Sequence, residues 1–266
     1  MRLTIHHQTN YVYQAAPKHL IQIFRLSPRL EPHQRIVEWQ MTAPGKLTVF
    51  TDAFGNVSHS HVLQSPNDKL TLTAAGVVEI TALNLGRLPP GELQNSVPTL
   101  SYLVSTPLTE SFAKLDLLTH TALPHGLHNA QDALALAAAI CQVVQYAQGN
   151  TDVTSTAEQA YELAMGVCQD HAHLMIAACR SLDVPARYVS GYVDPGNSRA
   201  AASHAWVDVW LQDHWLSVDV TNALLVTDAH CRLAIGRDYL DACPIRGVRE
   251  GGQTEQLNVT VTVHTA

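Results

Sequence analysis

The 266-residue chain has little charge, little cysteine and no long apolar run, and each shortage removes a class of function. Only 15% of its residues are Asp, Glu, Lys or Arg, and 23 acidic residues outnumber 16 basic ones for a net charge of -7. Such a balance offers no electrostatic footprint for nucleic acid or an anionic lipid surface, so neither is expected as a partner. No stretch approaches the roughly 20 apolar residues of a membrane span, and the opening MRLTIHHQTNYVYQ alternates instead of forming a signal-peptide core. A cytoplasmic chain with no membrane partner is therefore expected. Cysteine is sparse as well: Cys141, Cys168, Cys179, Cys231 and Cys243 form an odd set with no close pair. That spacing suggests neither a disulfide framework nor a zinc knuckle and leaves at least one thiol free.

What is present, at 46% hydrophobic residues, divides into two patterns. From Met1 to about Leu85 the runs LTIHHQTNYVY, RIVEWQMTA, KLTVFTD, SHSHVLQ and KLTLTAAGVVEITAL carry β-branched residues in near alternation. Turn residues separate them at Ala43-Pro44-Gly45 and Phe54-Gly55-Asn56, which predicts a small all-β sandwich or barrel. The stretch GRLPPGELQNSVP, Gly86 to Pro98, holds three prolines and two glycines and reads as a linker, placing a domain boundary between residues 1–98 and 99–266. Beyond it, Gln131–Ala147 is rich in helix formers, and Ser155-Thr-Ala-Glu158 has the form of a capping box. A helix from Cys168 to about Leu182 follows, then strands at Ala186–Val193, His204–Leu211, Trp215–Val220 and Gln256–His264.

One segment, AMGVCQDHAHLMIAA, sets Cys168 directly before a helical pattern. Residues 168, 172, 175, 179 and 182 share one face of that helix, so Cys168 could be a small buried hydrophobe. Its place in the first turn favours a different reading, because the free N–H groups and positive dipole end there stabilise a thiolate. Gly166 just upstream permits close approach of backbone or substrate. Cys179, three turns further in, has neither advantage and reads as a core residue. A thiolate nucleophile needs a base and an acceptor to orient that base. SHAWVDVWL offers His204 at the start of one strand, and HWLSVD offers Asp219 at the end of the next.

Taken together, GVCQDHAHLMIAACRSLDVPARYVSGYV, SHAWVDVWL and HWLSVDVTNA resemble the core of the transglutaminase-like thiol enzyme superfamily. The segments PARYVSGY and IGRDY resemble its bacterial branch of cysteine proteases, in which a β domain precedes the core. The resemblance implies an α+β fold, a papain/transglutaminase-like core with helices packed on an antiparallel sheet, after a small all-β domain. It also implies a triad of Cys168 as nucleophile, His204 as base and Asp219 as orienting acid. Bacterial relatives usually carry an aromatic residue at position 171 and proline at 220, where this chain has His171 and Val220.

The activity so implied is hydrolysis of an amide bond in a peptide or protein through an acyl-thioester, with no organic cofactor. Transfer of the acyl group to an amine by the same triad, or a non-catalytic peptide-binding or assembly role, are the alternatives; the oligomeric state is not legible.

Other polar residues have blander readings. Cys168, His171 and His173 lie within six residues, but 171 and 173 point about 180° apart on a helix, so no metal is expected there. Asp170 reads as a cap or local acceptor. Arg187, Arg237 and Asp238 read mainly as structural. Trp206 and Trp210 alternate with Asp208 on the face of His204, and Trp206 is a candidate substrate-binding residue as well as a candidate for sheet packing. Strand parity adds one constraint. If 204–211 and 215–220 form a hairpin, pairing with residue numbers adding to 425 puts Asp219 diagonal to His204, whereas 426 puts them on opposite faces.

Overall fold

The computed structural model describes residues 1–89, 97–196 and 203–265. Six strands come first: β1 (Arg2–Tyr13), β2 (Pro17–Phe24), β3 (Gln34–Thr42), β4 (Leu47–Thr51), β5 (Val57–Gln64) and β6 (Lys69–Ile80). The alternation in β1 is what burial requires. Leu3, Ile5, His7, Thr9, Tyr11 and Tyr13 point inward, and their neighbours face out or stay half-covered. Strand β2 was not legible as a strand, because PKHLIQIF opens on proline and mixes polar residues into its apolar face.

The helical part contains α1 (Ala113–Ala122), α2 (Ala130–Val143), α3 (Ala157–Leu163) and α4 (Cys168–Ser181), with short strands β7 (Gln145–Tyr146) and β8 (Met165–Gly166) between them. Asn129 caps α2 in a capping box with Asp132. The expected box at Ser155 and Glu158 lies one residue later: Thr156 accepts from the Gln159 N–H, and the Gln159 side chain returns to the Thr156 N–H. Ser155 is instead spent in the preceding turn, on Asp152. The one-face reading of α4 also needs correction, because every residue from Asp170 to Arg180 is buried. Helices lie over one side of α4 and a sheet over the other, so the helix is a central rod.

That sheet is antiparallel, in the order β12-β11-β10-β9-β13, from β9 (Ala186–Val193), β10 (Ser203–Leu211), β11 (His214–Asp219), β12 (Leu224–Leu225) and β13 (His230–Gly236). Strand β13 escaped the sequence pattern for a physical reason: all seven of its residues are buried, so no polar-apolar alternation marks it. Paired residue numbers in the β10–β11 hairpin add to 425, as in Val207 with Val218 and Leu211 with His214. Ala205, Val207 and Val209 face the α4 core. Trp206 and Asp208 therefore share the opposite face with Ser217 and Asp219.

After α5 (Tyr239–Ala242), strands β14 (Ile245–Gly251) and β15 (Glu255–Thr265) return to the amino-terminal part. They complete two four-stranded sheets, β15-β1-β6-β3 and β14-β2-β5-β4. Side chains from both sheets share one apolar cluster, which Tyr192, Cys231 and Leu233 of the five-stranded sheet also enter. Sheet membership thus assigns residues 245–265 to the amino-terminal β part, unlike a division at residue 98. Residues 90–96 of the expected linker lie outside the described residues. Its first residues are tied down, with Gly86 O accepting from Ser217 N and Leu88 N donating to Trp215 O, at 2.8 and 2.9 Å.

The β part covers the outer face and free edge of the five-stranded sheet. Two side-chain amides act as a surrogate strand for β13: Gln34 bonds Arg232 N and O, and Asn56 bonds Ile235 N and O, all at 2.8 or 2.9 Å. Each supplies both a donor and an acceptor, which is what an edge residue lacks. Between the layers sits a buried ionic cluster. Asp208 is bound by Arg187 Nε at 2.8 Å and by both terminal nitrogens of Arg232, and Arg232 also faces Glu31.

Candidate active site

Helix α4 begins at Cys168, so its thiol sits at the positive end of the rod. The start is fixed by Asp170, whose carboxylate accepts from the Val167 N–H and the Thr151 hydroxyl, both at 2.7 Å. Gly166 is required by this cap: a Cβ there would lie 2.8 Å from the Asp170 side chain.

His204 Nε2 lies 2.8 Å from Asp219 Oδ2 and donates to it, and the ring lines the same small cavity as Cys168. Since Asp219 occupies Nε2, the nitrogen left for the thiol is Nδ1. Burial pulls the imidazole towards neutrality, but its interactions with Asp219 and Cys168 outweigh that and raise its pKa to about 10. That direction favours the protonated ring, whose Nε2 proton is held by Asp219. Burial alone would raise the Asp219 carboxyl. The bonds from His204 and His230 prevail and hold it well below the ordinary carboxylate range.

His230 was missed in the sequence. It lies on β13, its Nε2 is 3.2 Å from Asp219 Oδ2, and its Nδ1 accepts from the Thr227 N–H at 3.3 Å, which fixes the proton on Nε2. Asn222 adds two further donors, Nδ2 at 2.7 Å and the backbone N–H at 3.2 Å. The only local signal for His230 was a lone histidine in an unremarked segment, eleven residues beyond Asp219.

The ligand-type atoms of His204, Asp219 and His230 lie within 4.8 Å of one another, a donor set of the kind that can hold a metal ion. Both rings meet the carboxylate through the nitrogen a metal would need, and hydrogen bonding accounts for the arrangement. Cys168, His171 and His173, the trio weighed from sequence, are not brought together. His171 instead bonds Val144 O and the Thr221 hydroxyl, and His173 accepts from the Tyr239 N–H.

His171 also explains how the turn after Asp219 is held with valine at position 220. Its bond to Thr221, and that of the Cys141 thiol to Val220 O at 3.0 Å, fix the turn from helices α4 and α2. Proline would have fixed φ covalently; here three side chains, with Asn222, do it.

Trp206 is corrected from a substrate contact to a packing residue. It is 0% exposed and packs edge-on against His230 with ring centroids 5.4 Å apart, and beside His204 at 6.3 Å. Its ring fits only because residue 191 is glycine, where a Cβ would come within 2.3 Å of it. Arg187 is likewise structural, buried against Asp208 and stacked 4.1 Å over the Trp215 ring. Arg237 pairs with Asp241, and Asp238 caps α5.

Beside Cys168 and His204 lies a cavity of about 230 Å³. A larger one, about 940 Å³, lies against residues 31–33, 81–84 and the β10–β11 turn, and neither Cys168, His204 nor Asp219 lines it. Size and reactivity point to different places, and the chemistry goes with the smaller cavity. Among the described residues, no helix is long and apolar enough to cross a membrane.

Comparisons with known proteins agree with this geometry. Residues 121–220 match the family model for the transglutaminase-like superfamily, and residues 3–79 match that for the bacterial transglutaminase-like N-terminal region. An uncharacterized protein of Mycobacterium leprae is 31% identical over 278 residues, covering 98% of both chains. One of Mycobacterium tuberculosis is 30% identical over 295 residues, covering 98% of this chain and 92% of that one. The crystal structure of a candidate cysteine protease from Cytophaga hutchinsonii has the same fold, with a TM-score of 0.79 at 22% identity over 99% of this chain and 90% of that one. The chain belongs to the transglutaminase-like superfamily, with the β region of its bacterial members.

Proposed function

We propose that this protein is a thiol hydrolase that cleaves an amide bond of a peptide or protein through an acyl-thioester on Cys168. The observation that carries the reading is the His204 ring, bonded through Nε2 to Asp219 and lining one cavity with Cys168 at the start of α4. Membership in the superfamily and the fold shared with a candidate cysteine protease support it.

In this reading His204 Nδ1 takes the thiol proton as the base. The Cys168 sulfur attacks the substrate carbonyl carbon, an S–C bond forms, and the carbonyl π electrons move to oxygen. The N–H of Cys168 lies in the first helical turn, whose N–H groups have no intrahelical acceptor, and it serves as one oxyanion donor. Collapse breaks the C–N bond as His204 Nδ1 gives its proton to the departing nitrogen. Water then attacks the thioester and loses a proton to His204, and departure of the sulfur restores the resting pair.

Thiol mapping tests the reading. Burial raises the pKa of the other four cysteines, Cys179 to about 12. Limiting iodoacetamide near neutral pH, read by mass spectrometry, should therefore modify Cys168 first. Earlier alkylation of Cys179 or Cys231 in the folded protein would remove Cys168 as the nucleophile. An electrophilic peptide should label the wild type and not Cys168→Ala.

A further inference from the structure

The cavity beside Cys168 has walls from both parts of the molecule. Strand β9 supplies Tyr188, Ser190 and Tyr192, while the amino-terminal β part supplies His7 and Leu26. Strand β1 brings His7 there by its alternation, and the His7 Nδ1 lies 2.8 Å from the Tyr192 hydroxyl. Among the described residues no Asp, Glu, Lys or Arg lines this space.

Apart from Cys168 and His204, the titratable groups that line it are neutral. Burial, with His6 nearby, lowers His7 to about 4, and burial raises Tyr188, Tyr192 and Tyr239 well above the phenolic range. Their polar atoms are also largely spent: Ser190 donates to Ala242 O, and Tyr192 and Thr9 engage both nitrogens of His7. A charged group entering would lose its water and meet, in His204, only a ring already bonded to Asp219, a cost of several kcal/mol. The volume, about 230 Å³, falls below the roughly 300 Å³ where sites for drug-sized molecules begin, and suits one amino-acid side chain.

We infer that this cavity is a specificity site for an uncharged side chain next to the reacting carbonyl, and that Leu26 and His7 make the amino-terminal β part its back wall. The inference rests on Cys168 being the nucleophile. It gives the β part a direct role in substrate choice and predicts selection by charge before selection by shape.

The test uses the full chain and peptidyl acyloxymethyl ketones that differ only in the side chain next to the ketone. Glutamine is paired with glutamate, and norleucine with lysine, so that each pair differs in charge and little in size. Rates of Cys168 labelling should favour the neutral member of both pairs by about tenfold or more, the range that pocket contacts give. Rates within about twofold, or a preference for either charged probe, overturn the inference. For the wall, Leu26→Val trims one methylene and should raise the phenylalanine-to-norleucine rate ratio several-fold, each rate being divided by that variant's own iodoacetamide rate. An unchanged ratio removes Leu26 from the site. If iodoacetamide selects Cys168 while the peptide panel is flat, only the specificity site fails. If Cys168 is not selectively alkylated, the catalytic reading fails with it.

Discussion

Asp219 and Asp208 lie on the same face of the same sheet, both at 0% exposure and both held below the usual carboxylate range against the pull of burial. Their partners differ. Asp208 is held by the guanidiniums of Arg187 and Arg232, which stay charged at any pH the protein meets. Asp219 is held by two imidazoles and an amide, and one imidazole lines a cavity with a thiol. A perturbed carboxylate therefore does not by itself mark a reactive centre. What separates the two is whether the neighbour can give up a proton, and whether a cavity adjoins that neighbour.

The sharpest way to break this contrast is to remove each charge without changing shape. Asp219→Asn should leave the melting curve close to wild type and lower turnover about 10⁴-fold, by loss of the orienting acceptor for His204. A rate near wild type on any true substrate would move Asp219 to the structural side. Asp208→Asn should do the reverse. Two buried guanidiniums lose the carboxylate they share, Arg232 keeping Glu31 at 3.7 Å, and chemical denaturation should show a loss of about 3–5 kcal/mol, with the remaining folded protein still labelled at Cys168. A variant of full stability and no activity would overturn the contrast.

A smaller effect is expected at the second histidine. His230→Gln removes one hydrogen bond to a charged carboxylate, worth about 1.5 kcal/mol, and turnover should fall roughly tenfold with the KM for substrate little changed. The contrast also shows in pH dependence. His204 is raised from 6.5 to about 10 in the folded protein, so its stabilisation is complete below pH 6.5 and is lost as pH rises through about 10. Asp219 is lowered, so its stabilisation is present above about pH 4 and is lost as pH falls below that. Melting temperature should therefore be highest between about pH 4 and 6.5 and decline steadily towards pH 10. In Cys168→Ala the His204 titration, followed by NMR, should move down because one of its stabilising neighbours is gone.

Much of the centre was legible because its chemistry is local to three segments. Cys168 is marked by its place before a helical pattern, the resemblance implies His204 and Asp219, and strand parity adds that a two-residue hairpin loop sets those two on one face within reach. His230 was not legible, because it sits on a strand buried on both faces, where no periodicity announces the element. The wall residues His7 and Leu26 lie some 140 residues or more before Cys168, and no pattern within β1 reveals that its inward face meets a cavity at the far end of the molecule. Trp206 misled for a related reason: its neighbour in sequence is His204, but Gly191 on the adjacent strand decides that its ring lies flat in the interior.

Strands β14 and β15 carry a consequence for how the protein is made. The amino-terminal sheets lack an edge strand each until residues 245–265 exist, so β1 emerges from the ribosome about 240 residues before its partner β15. At 5–20 residues per second that wait is about 10–50 s, during which the unpaired edges of β1 and β2 and the apolar cluster beneath them stay open to solvent. The first part translated is thus among the last to close, and a nascent chain halted before residue 245 should be a good substrate for chaperones.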